Sequence, residues 1–556
     1  MKFKQLYFAL VAVAFYLSMP AHAQTYAIRN ARIVTVSGPV IEKGTIVIRD
    51  GLIEAVGPEA RIPADAKIFE GSGLTVYPGF IDSLTNLGLP TPTPRPTPSG
   101  PSGFPLPLAA AAATSSQPSN SNYPAGLRPE ELVIDELRAG DAQFESNRNA
   151  GFTTALTTGR SGIFNGQSAL INLAGESVSA MTIKSPVAVH ITFATIPGAY
   201  PGSLLGTFAA LRQMFNDAKR LDEWKRLYAA NPKGIKRPDA DRSLEALIPV
   251  VKGEIPVVFV ANRRNEVVRA LDLAKEYNLK AVIAGGQEAG IFADRLKSQA
   301  VPVLLSLNYP KRTTAASPEA DPEDLETLRF RAEAPKTPAK LAAAGVKFAF
   351  FSGGLTNLND LFSNIRKSTE NGLSRDAAIR ALTLSAAEVF GVADRTGSLE
   401  AGKIANITVV KGDLLGSDRF VQYVFVDGKL FEQKPPSRQA SSSNGSPGRA
   451  GAVVSAAANV SGAYSISIQA PGQALSGRLN IVQSGDSLTG TLVTDLGTSE
   501  LKNGRIGPDG FTFSGTVIAG GETIDFTVRG RISGNELSGT VESQMGSFPI
   551  SGTRIP

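Results

Sequence analysis

Hydrolysis driven by a bound divalent cation needs several imidazoles and carboxylates converging on one point. This 556-residue chain holds two histidines, His22 and His190, and no cysteine, so thiolate metal sites, disulfides and a cysteine nucleophile are excluded. Lys2 and Lys4, an apolar run at 6–17, and the small residues Ala21 and Ala23 read as a secretory leader cleaved near Ala23. His22 leaves with that leader, and the mature chain keeps one imidazole. His190 lies in a strand-like run at 187–192, where a lone histidine is more often a satisfied structural residue than a catalyst. The other candidate acid–base groups are Asp82, which ends the apolar run of the stretch LTVYPGFIDSLTNLG at 74–88, and Glu288 and Asp360, which follow strand-like segments. No nucleophile elbow and no Walker loop is present.

Elements able to position these groups follow from periodicity. Residues 25–77 alternate as strands, with Asp50-Gly51 as a hairpin turn. Residues 90–124 are rich in Pro, Thr, Ser, Gly and Ala and read as a solvated insertion, or as a lid over a site. A helix is expected at 130–139. From 254 onward strands at 255–260, 281–284, 301–307 and 346–351 alternate with helices at 267–277, 289–296, 338–344, 358–368 and 375–382. Such βα repeats point to an α/β barrel; a doubly wound sheet is the alternative, with no Gly-rich nucleotide turn to support it. Strands return at 396–432. A linker follows at 433–455, and 456–556 repeats a hydrophobic-Ser/Thr-Gly-Thr signature expected of an antiparallel meander closing into a small barrel or sandwich.

The segment PGFID at 78–82, the strand at 256–262, the strand at 281–288, the strand at 350–354 and the returning strands at 396–431 together resemble the amidohydrolase superfamily, in particular its exported, imidazolonepropionase-like members. The resemblance implies a (β/α)8 TIM-like barrel at 78–395, a composite β-sandwich from 24–77 and 396–432, and a zinc or other divalent metal at the barrel mouth. The positions that match the family's metal ligands hold Leu84 and Asn86 after the first strand, Val260 and Asn262 in the second segment, Gly285 in the third and Gly353 in the fourth. Leu, Val and Gly supply no donor, and the neutral amides cannot compensate a dication. Lys184, a modified ligand in some relatives, would have no metal to serve. No metal or other cofactor is therefore expected.

These readings give an exported, periplasmic or secreted protein that keeps the fold without the metal centre. Its expected role is a non-catalytic binding or assembly subunit, paired with an active relative or with itself. A hydrolase of C–N bonds using an altered site is the first alternative, and an envelope- or carbohydrate-binding module the second. The net charge of +6 is scattered, so no nucleic-acid partner is expected, and no stable membrane anchor is expected.

Overall fold

The computed structural model describes residues 24–90, 123–124, 126–140, 143–195, 200–312, 323–355, 357–433 and, apart from its hairpin tips, 461–555. The segment read as a leader, nearly all of the Pro-rich stretch and nearly all of the expected linker lie outside the described residues. The chain folds as two compact units, Met1–Ser437 and Arg438–Pro556.

In the first unit, β1 (Tyr26–Ile33), β2 (Ile41–Arg49) and β3 (Leu52–Gly57) form an antiparallel meander, while β4 (Lys67–Glu70) and β5 (Leu74–Pro78) both run parallel to β1. Asp50 and Gly51 turn between β2 and β3 with φ of 53° and 78°, the left-handed pair a two-residue hairpin requires. The chain then passes straight from β5 into β6 (Phe80–Thr85), which pairs in parallel with β7 (Phe152–Thr157).

Next comes a run that periodicity did not distinguish from its neighbours. β8 (Phe164–Gln167) and β9 (Ala169–Asn172) flank Ser168; β9 is antiparallel to β7, and β8 is antiparallel to β11 (Val189–Thr192). The short β10 (Thr182–Lys184) pairs with β9. From β11 the sheet continues in parallel through β12 (Val257–Ala261), β13 (Ala281–Gly285), β14 (Val303–Ser306) and β15 (Phe348–Phe351). Just beyond β15, the Ser352 amide donates to the Asp82 carboxylate on β6 at 3.0 Å. The run 164–172 thus joins the sheet that begins at β6 to the sheet that ends at β15. The fold departs here from an all-parallel (β/α)8 barrel for a simple reason. Only 158–163 separate β7 from β8, too few for the crossover that a parallel return needs.

Most of these strands are buried on both faces. Ile81, Leu156, Leu170, Val258, Val282, Leu304 and Ala349 pack together in one core. Phe80, Phe152, Phe259, Ile283, Val303 and Phe350 belong to the larger core, with buried residues of the helices Leu204–Ala230 and Arg264–Tyr277. The helix expected at 130–139 is confined to Val133–Glu136, and a separate helix occupies Gln143–Ala150. The helices Arg242–Val251 and Leu384–Phe390 add to those expected.

Three strands then rejoin the first sheet: β16 (Ile407–Lys411) beside β5, β17 (Phe420–Val426) and β18 (Lys429–Glu432). Hydrogen bonding makes this one eight-stranded sheet rather than a sandwich of two. Its β3 edge bonds to the segment before β16, with Ile53 N to Lys403 O and Gly402 N to Ile53 O both at 2.8 Å, so the sheet folds over its own core.

The second unit is a closed barrel. β19 (Gly462–Ala470), β20 (Gln473–Ser484), β21 (Ser487–Thr494), β22 (Gly497–Glu500), β23 (Lys502–Gly507), β24 (Gly510–Ala519), β25 (Glu522–Ser533), β26 (Glu536–Ser543) and β27 (Gly546–Ile555) form one sheet, and the β20–β21 pairing shuts a ring of eight strands with β22 outside it. The repeated signature has a packing cause. Leu488, Phe513, Leu537 and Ile550 are buried in the barrel core. A Cβ on Gly490 would overlap the Asn480 carbonyl oxygen, and one on Gly539 the Arg529 carbonyl oxygen. Glycine there lets neighbouring backbones close in where the strands bend.

Candidate functional site

The strand ends β6, β7, β11, β12, β13, β14 and β15 open onto a cavity of about 720 Å³. All six positions matched to family ligands line it: Leu84, Asn86, Val260, Asn262, Gly285 and Gly353. Asp82 and His190 also line it. Sequence reasoning did not single out Arg160, Asn165, Thr192 or Ser306 as site residues, and they share the cavity wall.

The two matched glycines are built into the backbone. Gly285 has φ of 97° and Gly353 of 64°, a region that disfavours any side chain. A Cβ on Gly353 would overlap Ser306 Oγ. A ligating side chain therefore has no room at 353 without a local rearrangement.

Neutral amides tie the strand ends together instead. Asn262 on the loop after β12 donates to Gln287 Oε1 at 3.3 Å and accepts from Gln287 N at 3.1 Å. Gln287, buried after β13, donates through Nε2 to the carbonyls of Ser306 at 3.2 Å and Asn308 at 2.9 Å. Asn308 in turn donates to the Gly353 carbonyl at 3.0 Å. On the other side, Asn86 donates to the Thr158 carbonyl at 2.7 Å, linking the ends of β6 and β7.

Asp82 and His190 are fully buried beneath this rim. One Asp82 oxygen accepts from Ser352 N, while Oδ2 has no hydrogen-bond partner. Burial pushes its carboxyl up to about 6, against the opposing pull of the Ser352 and Leu84 hydrogen bonds. His190 Nε2 lies 2.8 Å from Ser168 Oγ, and that hydroxyl donates its one proton to the Ala188 carbonyl at 3.3 Å. Nε2–H is then the donor, and Nδ1 is left as an unpartnered acceptor. Burial lowers the ring to about 3 and keeps it neutral at physiological pH.

The remaining candidates lie elsewhere. Glu288 accepts from Arg264 N at 2.8 Å and caps the helix Arg264–Tyr277, and Asp360 sits in a part-exposed ion pair with Lys311 at 3.3 Å. Neither lines the cavity, so the structure does not assemble them into an acid–base pair there. Lys184 donates to the Phe390 carbonyl at 2.8 Å and lines a different cavity. Among the described residues no group of three or more His, Cys, Asp or Glu side chains is placed to hold a metal ion.

The amidohydrolase family pattern matches residues 326–431. Imidazolonepropionase from Mesorhizobium japonicum (strain LMG 29417 / CECT 9101 / MAFF 303099) is 24% identical over 428 residues, covering 68% of this chain and 90% of that protein. An amidohydrolase from Thermotoga maritima MSB8 superposes with a TM-score of 0.60 at 23% identity, over 73% of this chain and 100% of that one. That superposition carries the fold, TIM-barrel-like with additional domains. The family pattern, the curated relative and the shared fold agree in supporting a place for this chain in the amidohydrolase superfamily.

Proposed function

We propose that this protein is an exported amidohydrolase-superfamily member without metal-dependent hydrolysis, acting as a binding or assembly subunit. The observation that carries the reading is the state of the barrel mouth: six positions matched to family ligands share one cavity, and none offers an imidazole or a carboxylate. The family's cation does not fit these residues. Two of the positions are glycines in left-handed conformation, one backed directly by Ser306. The amide network through Asn262, Gln287 and Asn308 supplies the cross-links between strand ends that a shared cation would otherwise provide. What remains is a cavity of mixed polar and apolar wall, with the Arg160 guanidinium at its edge, large enough for a small ligand.

The altered-site hydrolase needs Asp82 or His190 to reach a substrate; both line the cavity but lie beneath its surface, with no exposed area of their own. A panel of dipeptides, N-acyl amino acids and lactams, assayed with and without added zinc, separates the readings. No turnover above background is expected. Turnover that Asp82→Asn abolishes would overturn the proposal.

A further inference from the structure

A second cavity, of about 600 Å³, lies at the opposite end of the same strands. Its wall is made by residues at strand starts: Pro256 before β12, Ala281 at the start of β13, Pro302 before β14 and Lys347 before β15. The floor is apolar, with Val187, Val282, Leu296, Val301 and Phe390 buried. Four lysines surround it, Lys184, Lys280, Lys297 and Lys347, against two acids, Glu254 and Glu388.

The charges are not matched within that ring. Glu388 is taken up by Lys347 at 2.8 Å and by Arg380 from outside the wall. Glu254 alone remains to face Lys184, Lys280 and Lys297, and among the described residues none of these three makes an ion pair with it. Two of the ammoniums are held in place by backbone. Lys184 Nζ donates to Phe390 O and Lys297 Nζ to Gly345 O, both at 2.8 Å. Each lies against a left-handed glycine, Gly391 or Gly345, where an added Cβ would come within 3.2 Å and 3.1 Å of the respective nitrogen. A carbonyl uses one of an ammonium's three donors and leaves its net charge in place. Burial lowers the Lys184 pKa first, the charge of Lys280 lowers it further, and only Asp394 opposes them. Two like charges are thus held near each other over an apolar floor.

The geometry points to a second ligand site at this end of the barrel, built for a small organic anion that sets an apolar body on the Val187–Phe390 floor and a carboxylate or phosphate among Lys184, Lys280 and Lys297. The site is independent of what the barrel mouth does. An anionic headgroup relieves the Lys184–Lys280 repulsion, whereas a cation would add to it.

Calorimetric titration of the full-length protein with octanoate, octyl phosphate, octanol and octylamine at low salt tests this. Octanoate or octyl phosphate is expected to bind saturably with one equivalent per chain, more weakly as NaCl is raised. Which of the two binds more tightly identifies the headgroup. Lys280→Glu, at an exposed position that leaves the core intact, is expected to weaken that binding by roughly ten-fold or more. Asn262→Ala at the mouth is expected to leave it within about two-fold. Absence of saturable binding by either anion, equal binding of octylamine, or indifference to Lys280→Glu would overturn the assignment.

Discussion

The two ends of one set of strands have opposite character. At the end where β6 and β11–β15 finish, the cavity wall carries asparagines, threonines, serines and left-handed glycines, and its buried ionisable groups sit out of reach of solvent. At the end where the strands begin, four lysines ring an apolar floor. In barrels of this kind chemistry belongs to the first end, and residues at the second are read as stability. Here the first end has become a hydrogen-bonded scaffold with one cation, Arg160, at its edge, and the second gathers four lysines against two acids. The same fold can exchange the character of its faces without changing the strands between them, because alternate residues answer to the core and the strand ends do not.

That contrast can be sharpened at the mouth first. His190 has its ring lowered to about 3 by burial, so its contribution to stability is full above its ordinary value of 6.5 and is lost as pH falls toward 3. Between pH 7 and pH 4 it should cost the protein about 3 kcal/mol. Urea titrations at both pH values should show that loss in the parent and not in His190→Gln. Asp82 acts in the other direction. Its carboxyl is raised to about 6, so its contribution is present below the ordinary value of 3.8 and is lost as pH rises through 6. Asp82→Asn should therefore gain about 2 to 3 kcal/mol over the parent at pH 8, and much less at pH 4. Equal shifts at the two pH values would mean that the carboxyl is hydrated and the mouth more open than its burial implies.

The amide rim comes next. Gln287→Leu removes donors to Ser306 and Asn308 and the partner of Asn262, and should destabilise by about 2 kcal/mol in chemical denaturation. Gly353→Asp, which puts a carboxylate at this matched position, should cost about 2 kcal/mol from left-handed strain and the overlap with Ser306. A neutral or stabilising Gly353→Asp would break the comparison, since the mouth would then still accommodate a ligand. The smallest effect belongs to the other end. Lys297→Met loses one bond to Gly345 O on an exposed side chain and should change stability by less than about 1 kcal/mol.

Much of the scaffold was legible because it is written in local patterns. Asp50-Gly51 and Asp427-Gly428 turn as their sequence requires, and the alternation of strands and helices after residue 254 matches β12 to β15. The antiparallel run at 164–172 was not legible, since Phe164–Gln167 and Ala169–Asn172 are each four residues long and their direction is set by the short connection before them. The sandwich became a single sheet because the bonds of Ile53 to 402–403 are long-range and leave no periodic trace. At the site, the six matched positions could be named only because four segments, in order, resemble the family's ligand-bearing strands. That Gly353 is hemmed in by Ser306, or that Gln287 is the hub of the rim, depends on which loops meet at the mouth. The lysines of the far end come from four separated segments, so no spacing in the sequence announces them.

Whether the mouth can hold a cation can be put to one measurement. The purified protein, equilibrated with zinc, manganese or cobalt and freed of loose ions, can be assayed for bound metal by inductively coupled plasma mass spectrometry, with Asp82→Asn and His190→Gln alongside. A mouth whose matched positions are neutral amides, glycines, Leu84 and Val260 should retain well under one equivalent of any of the three, unchanged by either substitution. One equivalent of metal retained by the parent and lost from either variant would contradict it.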